Sequence, residues 1–197
     1  MGRAGKDDLH MRQAPIIEVV REAAEPHEDR GKEIVIEESP GPGGEYNQPE
    51  IMRRPEVIHG LRNLIQNAVD FARSQVWIEA IWTEETILIR ILDDGAGFPP
   101  HLIGRIGDPF VRRRRSDADR SERPEYEGMG LGLFIAKTLL ERTGAELSFA
   151  NGSDPFSGAE ASRRRGAIVE VVWPRDKIVP DRRIAGQPYE KNRPIKV

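Results

Sequence analysis

Two asparagines one helical turn apart, Asn63 and Asn67, are the first residues in this sequence whose types and spacing could do chemistry. Residues four positions apart lie on the same side of a helix, so both side-chain amides would reach one ligand. An amide oxygen is a suitable ligand for Mg²⁺, which keeps most of its coordination sites for water and phosphate oxygens. Taken alone, the pair is more typical of a solvated helix face.

Two glycine clusters lie further along the chain: DDGAG at 93–97 ends a predicted strand, and GMGLG at 128–132 opens a predicted helix. Neither has the Lys-Ser/Thr of a P-loop or the spacing of a dinucleotide-binding fingerprint. Glycine lets backbone amides approach an anion, and a helix N-terminus favours negative charge, so 128–132 is a candidate phosphate cradle. Asp93 could accept a hydrogen bond from an exocyclic amine. Either cluster alone is more typical of an ordinary turn.

The asparagines require a helix that holds them in place. Pro55 lacks the N–H that a first helical residue does not need, so we predict that this helix begins there and runs to Arg73. Apolar residues at helical spacing form its buried face, namely Val57, Leu61, Leu64, Ile65, Ala68 and Ala72.

The same kind of pattern predicts the remaining elements. Three further helices are expected, at 15–25, 101–107 and 133–142, the last ended by Gly144. A proline- and glycine-rich loop is expected at 39–44. β-rich runs predict a hairpin over 76–92 and, in all, strands at 32–37, 76–82, 86–92, 145–150 and 168–173.

The composition describes a soluble and rather polar chain. Its 197 residues carry a net charge of -3 and a pI near 5.9, which argues against a dedicated nucleic-acid binder. No apolar run approaches the ~20 residues of a membrane span. The first eleven residues lack the apolar core of a secretory signal. The absence of cysteine excludes disulfides, cysteine-ligated zinc and a thiol nucleophile. A cytoplasmic location fits this composition.

We predict one domain at 15–174, with a linker at 1–14 before it and a weakly ordered tail at 175–197 after it. Inside the domain, 111–127 holds six arginines and five acids and few apolar residues. A long loop of this kind within a compact domain is typical of a lid, a binding loop or a disordered segment.

Four segments in this order resemble the N, G1, F and G2 boxes of sensor histidine kinase catalytic domains: NLIQNAVDFA, DDGAGF, DPF and GMGLGLFIAKTLLERTG. Those domains belong to the GHKL superfamily of ATPases, with gyrase, MutL and a large heat-shock chaperone. The resemblance covers roughly 15–174, and its wording is closest to redox-responsive kinases of the RegB/PrrB type. It implies the Bergerat ATP-binding fold, a two-layer α/β sandwich with three helices on one face of a mixed, mostly antiparallel sheet.

The resemblance also implies roles for residues in a site for ATP and Mg²⁺. Asn67 matches the magnesium-binding asparagine, Asn63 a contact to the polyphosphate, and Asp93 the aspartate that binds the adenine amino group. Gly95 and Gly97 match the glycines that give the base room, and Phe110 matches the aromatic residue at the base of the lid. The phosphates would be bound by four residues of the G2 box, Gly128, Gly130, Leu131 and Gly132.

Two positions bear on the reaction. Hydrolysing members of the superfamily carry a glutamate base where this sequence has Asn63, which cannot take a proton from water. We therefore assign Asn63 and Asn67 as the catalytic residues of a phosphoryl transfer to a protein acceptor. Many sensor kinases have a lysine or arginine where this sequence has Asp70. That acid must turn away from ATP or leave phosphate binding to an arginine of the lid, within 112–115.

The phosphoacceptor is expected on another domain. His10 and Pro15 have the spacing of an acceptor motif, but too few residues separate His10 from the N box for two long helices. We interpret His10 as a linker residue and expect His27, His59 and His101 to be ordinary polar residues. The implied partners are a histidine-containing dimerisation domain and a response regulator, in a parent kinase of the bacterial inner membrane. The alternatives are an anti-sigma-type serine kinase and a non-catalytic, ATP-gated interaction module.

Overall fold

The computed structural model describes residues 12–99, 103–106, 129–152 and 164–180. Its main sheet has five strands, in the spatial order β2 (Glu33–Pro40), β4 (Gln75–Trp82), β5 (Thr86–Asp93), β7 (Ala167–Pro174) and β6 (Glu146–Asn151). The first two strands in this order pair in parallel, and the other three pairs are antiparallel. The mixed, mostly antiparallel sheet expected from the sequence is confirmed.

Within the described part of the chain, three helices pack on one face of this sheet: α1 (Ile16–Ala24), α2 (Pro55–Phe71) and α3 (Met129–Glu141). A short helix, α4 (Arg175–Ile178), follows β7. Among the described residues, 3-10 turns occur at Glu25–His27 and Ile103–Arg105, and the second lies where the sequence predicts a short helix at 101–107. The two-layer arrangement is the predicted one.

Helix α2 begins at Pro55, as predicted, after an extended Arg54. The six residues of its predicted apolar face are all buried, because that face lies against the sheet and the neighbouring helices. At its other end, Lys32 donates hydrogen bonds to the carbonyls of Ala72 and Arg73 at 2.8 and 2.7 Å. This ammonium satisfies carbonyls that have no partner within the helix.

Alternate residues of the central strands point toward the helices and form the core. On β5 and β7 the inward residues are buried and apolar, namely Ile87, Ile89, Ile91, Val169, Val171 and Trp173. Since β5 ends at Asp93, this core fixes the position of the predicted base-binding carboxylate.

The opposite face of the sheet carries a row of charged residues in register, Glu37, Glu79, Arg90 and Glu170, one on each of four adjacent strands. Arg90 bonds Glu79 at 3.0 Å and Glu170 at 2.7 Å. Arg164 bonds Glu79 at 2.5 Å and Glu37 at 3.1 Å. These contacts anchor the segment that leads into β7 to the outer face of the sheet.

A second sheet of two short strands was not predicted from the sequence. β1 (Gln13–Pro15) pairs antiparallel with β3 (Glu50–Met52) beside the start of α1. β1 begins inside the segment 1–14 that we interpreted as a linker, and α4 lies beyond residue 174. The domain boundaries at 15 and 174 therefore stay predictions.

Candidate nucleotide-binding site

A pocket lies between α2, the end of β5 and the start of β7. Three of the predicted site residues line it, Asn67, Asp93 and Gly97. The other walls are largely apolar, with Leu64, Ala68, Phe71, Ile91, Phe98 and Val169. An apolar slot with one carboxylate at its base suits a flat ring that carries an amine.

Asp93 is 2% exposed at the base of this pocket. Its Oδ1 accepts N–H bonds from Gly95 at 2.7 Å and from Ala167 at 3.1 Å. Within the described part of the chain, Oδ2 has no hydrogen-bond partner, so it is the oxygen left for a ligand. Burial raises the pKa of Asp93 to about 6, although the two N–H donors oppose the shift, and the charge of Asp94 adds to it.

The two glycines of the G1 box are required by close approaches. A Cβ on Gly95 would collide with the carbonyl oxygen of Phe71 at the end of α2. Gly97 has φ of +77°, a conformation that favours glycine, and a Cβ there would lie 2.6 Å from the side-chain oxygen of Asn151. A larger residue at either position would displace the loop that forms the pocket wall.

The two asparagines of α2 are placed differently. Asn67 lines the pocket, and its side chain has no hydrogen bond to the described residues. Asn63 does not line the pocket, and its Nδ2 donates to the carbonyl of His59 at 2.8 Å. Asp70, one turn beyond Asn67, pairs with Arg30 at 2.6 Å. The structure therefore places Asn67 in the same pocket as Asp93, while Asn63 lies one turn earlier on the helix and outside the pocket lining.

Gly130, Leu131 and Gly132 of the G2 box lie in the first turn of α3, which begins at Met129, four residues before the predicted start of the helix. Among the described residues, no atom lies within 4 Å of a Cβ added to Gly130 or Gly132. Leu131 between them is 45% exposed. Phe110, Gly128 and the predicted lid at 111–127 lie outside the described residues.

Asp94, the second acid of the G1 box, has a separate role. Its Oδ1 accepts N–H bonds from Arg73, Ser74 and Gln75 at 2.8, 3.0 and 3.2 Å, and its Oδ2 accepts the Ser74 hydroxyl at 2.6 Å. Burial alone would raise the pKa of Asp94, but the Ser74 hydroxyl and these N–H groups lower it below its ordinary value. Asp94 thus ties the end of β5 to the turn that follows α2.

Three residues that sequence analysis missed shape the pocket. Ala167 donates to Asp93 Oδ1, and Gly166 donates to the Asp93 carbonyl at 2.9 Å. A Cβ on Gly166 would overlap Asp93 Oδ1. Asn151, at the end of β6, bonds the backbone of Phe98. No motif marks these positions, because β7 and β6 meet the G1 loop only through the sheet topology.

The side chains at this site could bind Mg²⁺ only together with a bound phosphate ligand. Among the described residues, no group of three or more His, Cys, Asp or Glu side chains could hold a metal ion. One free amide oxygen, at Asn67, is compatible with an ion whose other ligands are phosphate oxygens and water. In the same residues, no helix has the length and hydrophobicity that crossing a bilayer requires.

Residues 52–177 match the family model of the histidine kinase-, DNA gyrase B- and HSP90-like ATPases. The chain is 69% identical over 180 residues to the sensor histidine kinase RegB of Cereibacter sphaeroides, covering 91% of this chain and 39% of that protein. It is 29% identical over 125 residues to the sensor histidine kinase CpxA of Escherichia coli, covering 64% of this chain and 25% of CpxA.

Solved structures with the same fold include a mycobacterial sensor histidine kinase, MprB, with a TM-score of 0.58 and 19% identity. The alignment covers 82% of this chain and 95% of that one. The nucleotide-free catalytic domain of the histidine kinase ThkA gives a TM-score of 0.57 at 17% identity, covering 82% and 94%.

Proposed function

The chain is a member of the histidine kinase-, DNA gyrase B- and HSP90-like ATPase family, and from that premise we propose that it is the ATP-binding catalytic domain of a sensor histidine kinase. It binds Mg-ATP and delivers the γ-phosphoryl group to a histidine on the dimerisation domain of its parent kinase. The bond between the γ-phosphorus and the β,γ-bridging oxygen breaks, a bond from phosphorus to an imidazole nitrogen forms, and ADP leaves.

The observation that carries this proposal is the buried carboxylate of Asp93 in an apolar slot. Its Oδ1 is occupied by two backbone N–H groups, so Oδ2 is held in a fixed direction for an amine of the ligand. Adenine offers both the flat apolar ring and the exocyclic amine. Carboxylates in such a costly environment cluster at functional sites, where a ligand uses their charge, and this supports the assignment of Asp93 to the nucleotide.

Asn67 is the residue that would hold Mg²⁺ through its amide oxygen. The metal supplies charge neutralisation and alignment of the phosphates, which is most of what phosphoryl transfer requires. The first turn of α3, with Gly130, Leu131 and Gly132, would receive the phosphates at a helix N-terminus. Phe110 and Gly128 complete the site in this proposal.

Transfer to a protein is favoured over hydrolysis by the chemistry of Asn63. An amide cannot take a proton from water, and the Nδ2 of Asn63 is bonded to the carbonyl of its own helix. Without a general base on this helix turn, an attacking water would remain unactivated. An imidazole of an acceptor domain is itself a nucleophile at neutral pH and needs no such base.

The remaining parts of the system are proposed from the relatives. The chain spans 39% of the length of RegB. We assign the dimerisation domain, which carries the phosphoacceptor histidine, to the rest of such a parent kinase, with a response regulator as the next recipient of the phosphoryl group. The parent kinase would reside in the bacterial inner membrane, with this domain on the cytoplasmic side.

The test is to mix the purified chain with labelled ATP and the separately expressed dimerisation domain of the C. sphaeroides relative. We expect an acid-labile, alkali-stable label on the added domain, slow and dependent on concentration because no linker raises the local concentration. The chain alone should not label itself. Label that is stable to acid would favour a serine kinase, and nucleotide binding without any transfer would favour an ATP-gated interaction module. Self-labelling lost in His10→Gln would make His10 the acceptor.

A further inference from the structure

We propose that Arg30, held against α2 by Asp70, supplies positive charge to the phosphate side of the nucleotide site. The inference rests on the proposed function, since it names a further residue that binds the same ligand. Arg30 lies outside residues 52–177, the part of the chain that matches the family model. Nothing in the N, G1, F or G2 boxes points to it.

The first step is the position of Asp70 on α2. Asn63, Asn67 and Asp70 are spaced i, i+4 and i+7, so their side chains follow one face of the helix. Asn67 lines the pocket, and Asp70 is one turn further along the same face. A bare carboxylate there would repel the phosphates of ATP, which carry several negative charges.

The second step is the ion pair itself. Arg30 Nη2 lies 2.6 Å from Asp70 Oδ1, so the charge of the acid is neutralised where the ligand would meet it. The two side chains are 43% and 36% exposed. The contact is an ion pair at one nitrogen of the guanidinium, and among the described residues its other nitrogens have no partner, so they are available to phosphate oxygens, which arginine binds in a forked geometry. Asp70 thus holds the guanidinium of Arg30 next to its own position on α2.

The third step is that two other cations next to α2 are committed elsewhere. Lys32 donates to the carbonyls of Ala72 and Arg73 behind the helix end. Arg62 donates to the carbonyl of Glu22 on the side of α1, at 3.4 Å. Exposed ion pairs contribute little to folding stability. Stability therefore gives little reason to join Arg30 to a residue 40 positions away, whereas a ligand gives one.

The experiment compares Mg-ATP with adenosine, using the full chain and titration calorimetry. Arg30→Ala should weaken Mg-ATP by about tenfold or more, the value of a charge-assisted hydrogen bond, and Arg30→Glu should weaken it further. Adenosine, which has no phosphate, should bind both variants as it binds the wild type. The matched control is Arg21→Ala, which removes an arginine from an exposed ion pair with Glu18 on α1. Raising the salt concentration should shrink the Mg-ATP difference.

Two results would overturn the role of Arg30 while leaving the proposed function untouched. One is an affinity for Mg-ATP in Arg30→Ala equal to that in Arg21→Ala, and the other is an equal loss of affinity for Mg-ATP and for adenosine in Arg30→Ala. The second would mean that Arg30 supports the shape of the pocket and not the charge at the phosphates. A wild-type chain that binds neither ligand would instead overturn the proposed function, and this inference with it.

Discussion

Asn151 is joined to the backbone of Phe98 by both ends of its side-chain amide. The Phe98 N–H donates to Asn151 Oδ1 at 2.6 Å, and Asn151 Nδ2 donates to the Phe98 carbonyl at 2.7 Å. The side chain thereby makes the two hydrogen bonds that the backbone of a neighbouring strand would make, and it fixes the loop that follows β5. Because Gly97 and Phe98 line the pocket, the end of β6 controls the shape of a wall that it does not itself form.

Asn151→Ala should therefore loosen the pocket without touching the ligand. We expect the free energy of unfolding to fall by about 2 kcal/mol for two lost hydrogen bonds, and adenosine affinity to fall by about tenfold. Denaturant titration and calorimetry measure the two effects. Ser148→Ala, an exposed position on the same strand, is the control. If both variants bind adenosine equally well, the loop does not depend on Asn151.

Asp93→Asn should lose ATP binding and gain stability. The amide cannot accept the amine hydrogen bond as the carboxylate does, and the loss is about tenfold to a hundredfold in affinity. Because burial raises the pKa of Asp93 to about 6, keeping it charged at pH 7 costs folding stability, and Asn removes that cost. The free energy of unfolding should rise by about 1 kcal/mol or more, and the melting temperature should rise with it. Asp94→Asn should instead lower the melting temperature, since the partners of Asp94 lower its pKa and so stabilise its charged form in the folded state. Unchanged ATP affinity in Asp93→Asn would remove Asp93 from the site.

Adenosine binding should weaken in acid. With the pKa of Asp93 at about 6, its protonated fraction grows as the pH falls through that value, and a protonated oxygen no longer accepts the amine. We expect constant affinity above pH 7 and a loss approaching tenfold per pH unit below pH 6. Adenosine is the appropriate ligand because it has no phosphate to titrate. A flat profile from pH 7.5 to pH 5 would contradict the role of the carboxylate.

Asn67→Ala should weaken Mg-ATP far more than metal-free ATP. The amide oxygen is the protein ligand proposed for Mg²⁺, so a variant without it loses the metal-dependent part of the affinity, roughly tenfold. Gln66→Ala, the exposed neighbour on α2, controls for loss of helix polarity. Equal losses with and without Mg²⁺ would make Asn67 a structural or base-contacting residue.

His27 should make the fold sensitive to acid. Its ring is 6% exposed, and neither nitrogen has a hydrogen-bond partner among the residues that the structure describes. Burial, with the nearby charge of Arg30, lowers the pKa of His27 below its ordinary value, so its folded form resists protonation. Wild-type stability should therefore fall relative to His27→Leu as the pH drops below 6.5, by up to about 1.4 kcal/mol per pH unit. Above pH 8 this difference should be constant. Denaturant titrations of the wild type and His27→Leu between pH 5 and pH 8 measure this trend, and a stability difference that stays the same at every pH would contradict it.

The long elements were predictable because each has a strong periodic signal. Pro55 and the apolar face located α2, and β4, β5 and β7 lie within one residue of their predicted bounds. β1 and β3 have three residues each and carry no period, and their pairing joins segments far apart in the chain. β2 continues to Pro40 where a loop was predicted, because an edge strand tolerates proline.

The site was predictable where it consists of motifs. Asn67, Asp93 and Gly97 line one pocket because α2 and β5 are adjacent in the fold, and their roles in binding ATP stay predictions. Gly166, Ala167 and Asn151 were not predictable, since their contacts to the G1 loop depend on how β6 and β7 return to it. The roles assigned to Phe110, Gly128 and the lid remain predictions.

The position of β2 has a consequence for how this domain can be shortened. α1 and β2 lie before residue 52, where the family match begins, yet β2 is the edge strand that covers β4. A chain cut at residue 52 would expose the ladder groups of β4 along a strand rich in apolar side chains, including Val76, Trp77, Ile78 and Trp82. Uncovered strands of this kind recruit other strands, so the family boundary, used as a cutting point, would produce a fragment prone to aggregation.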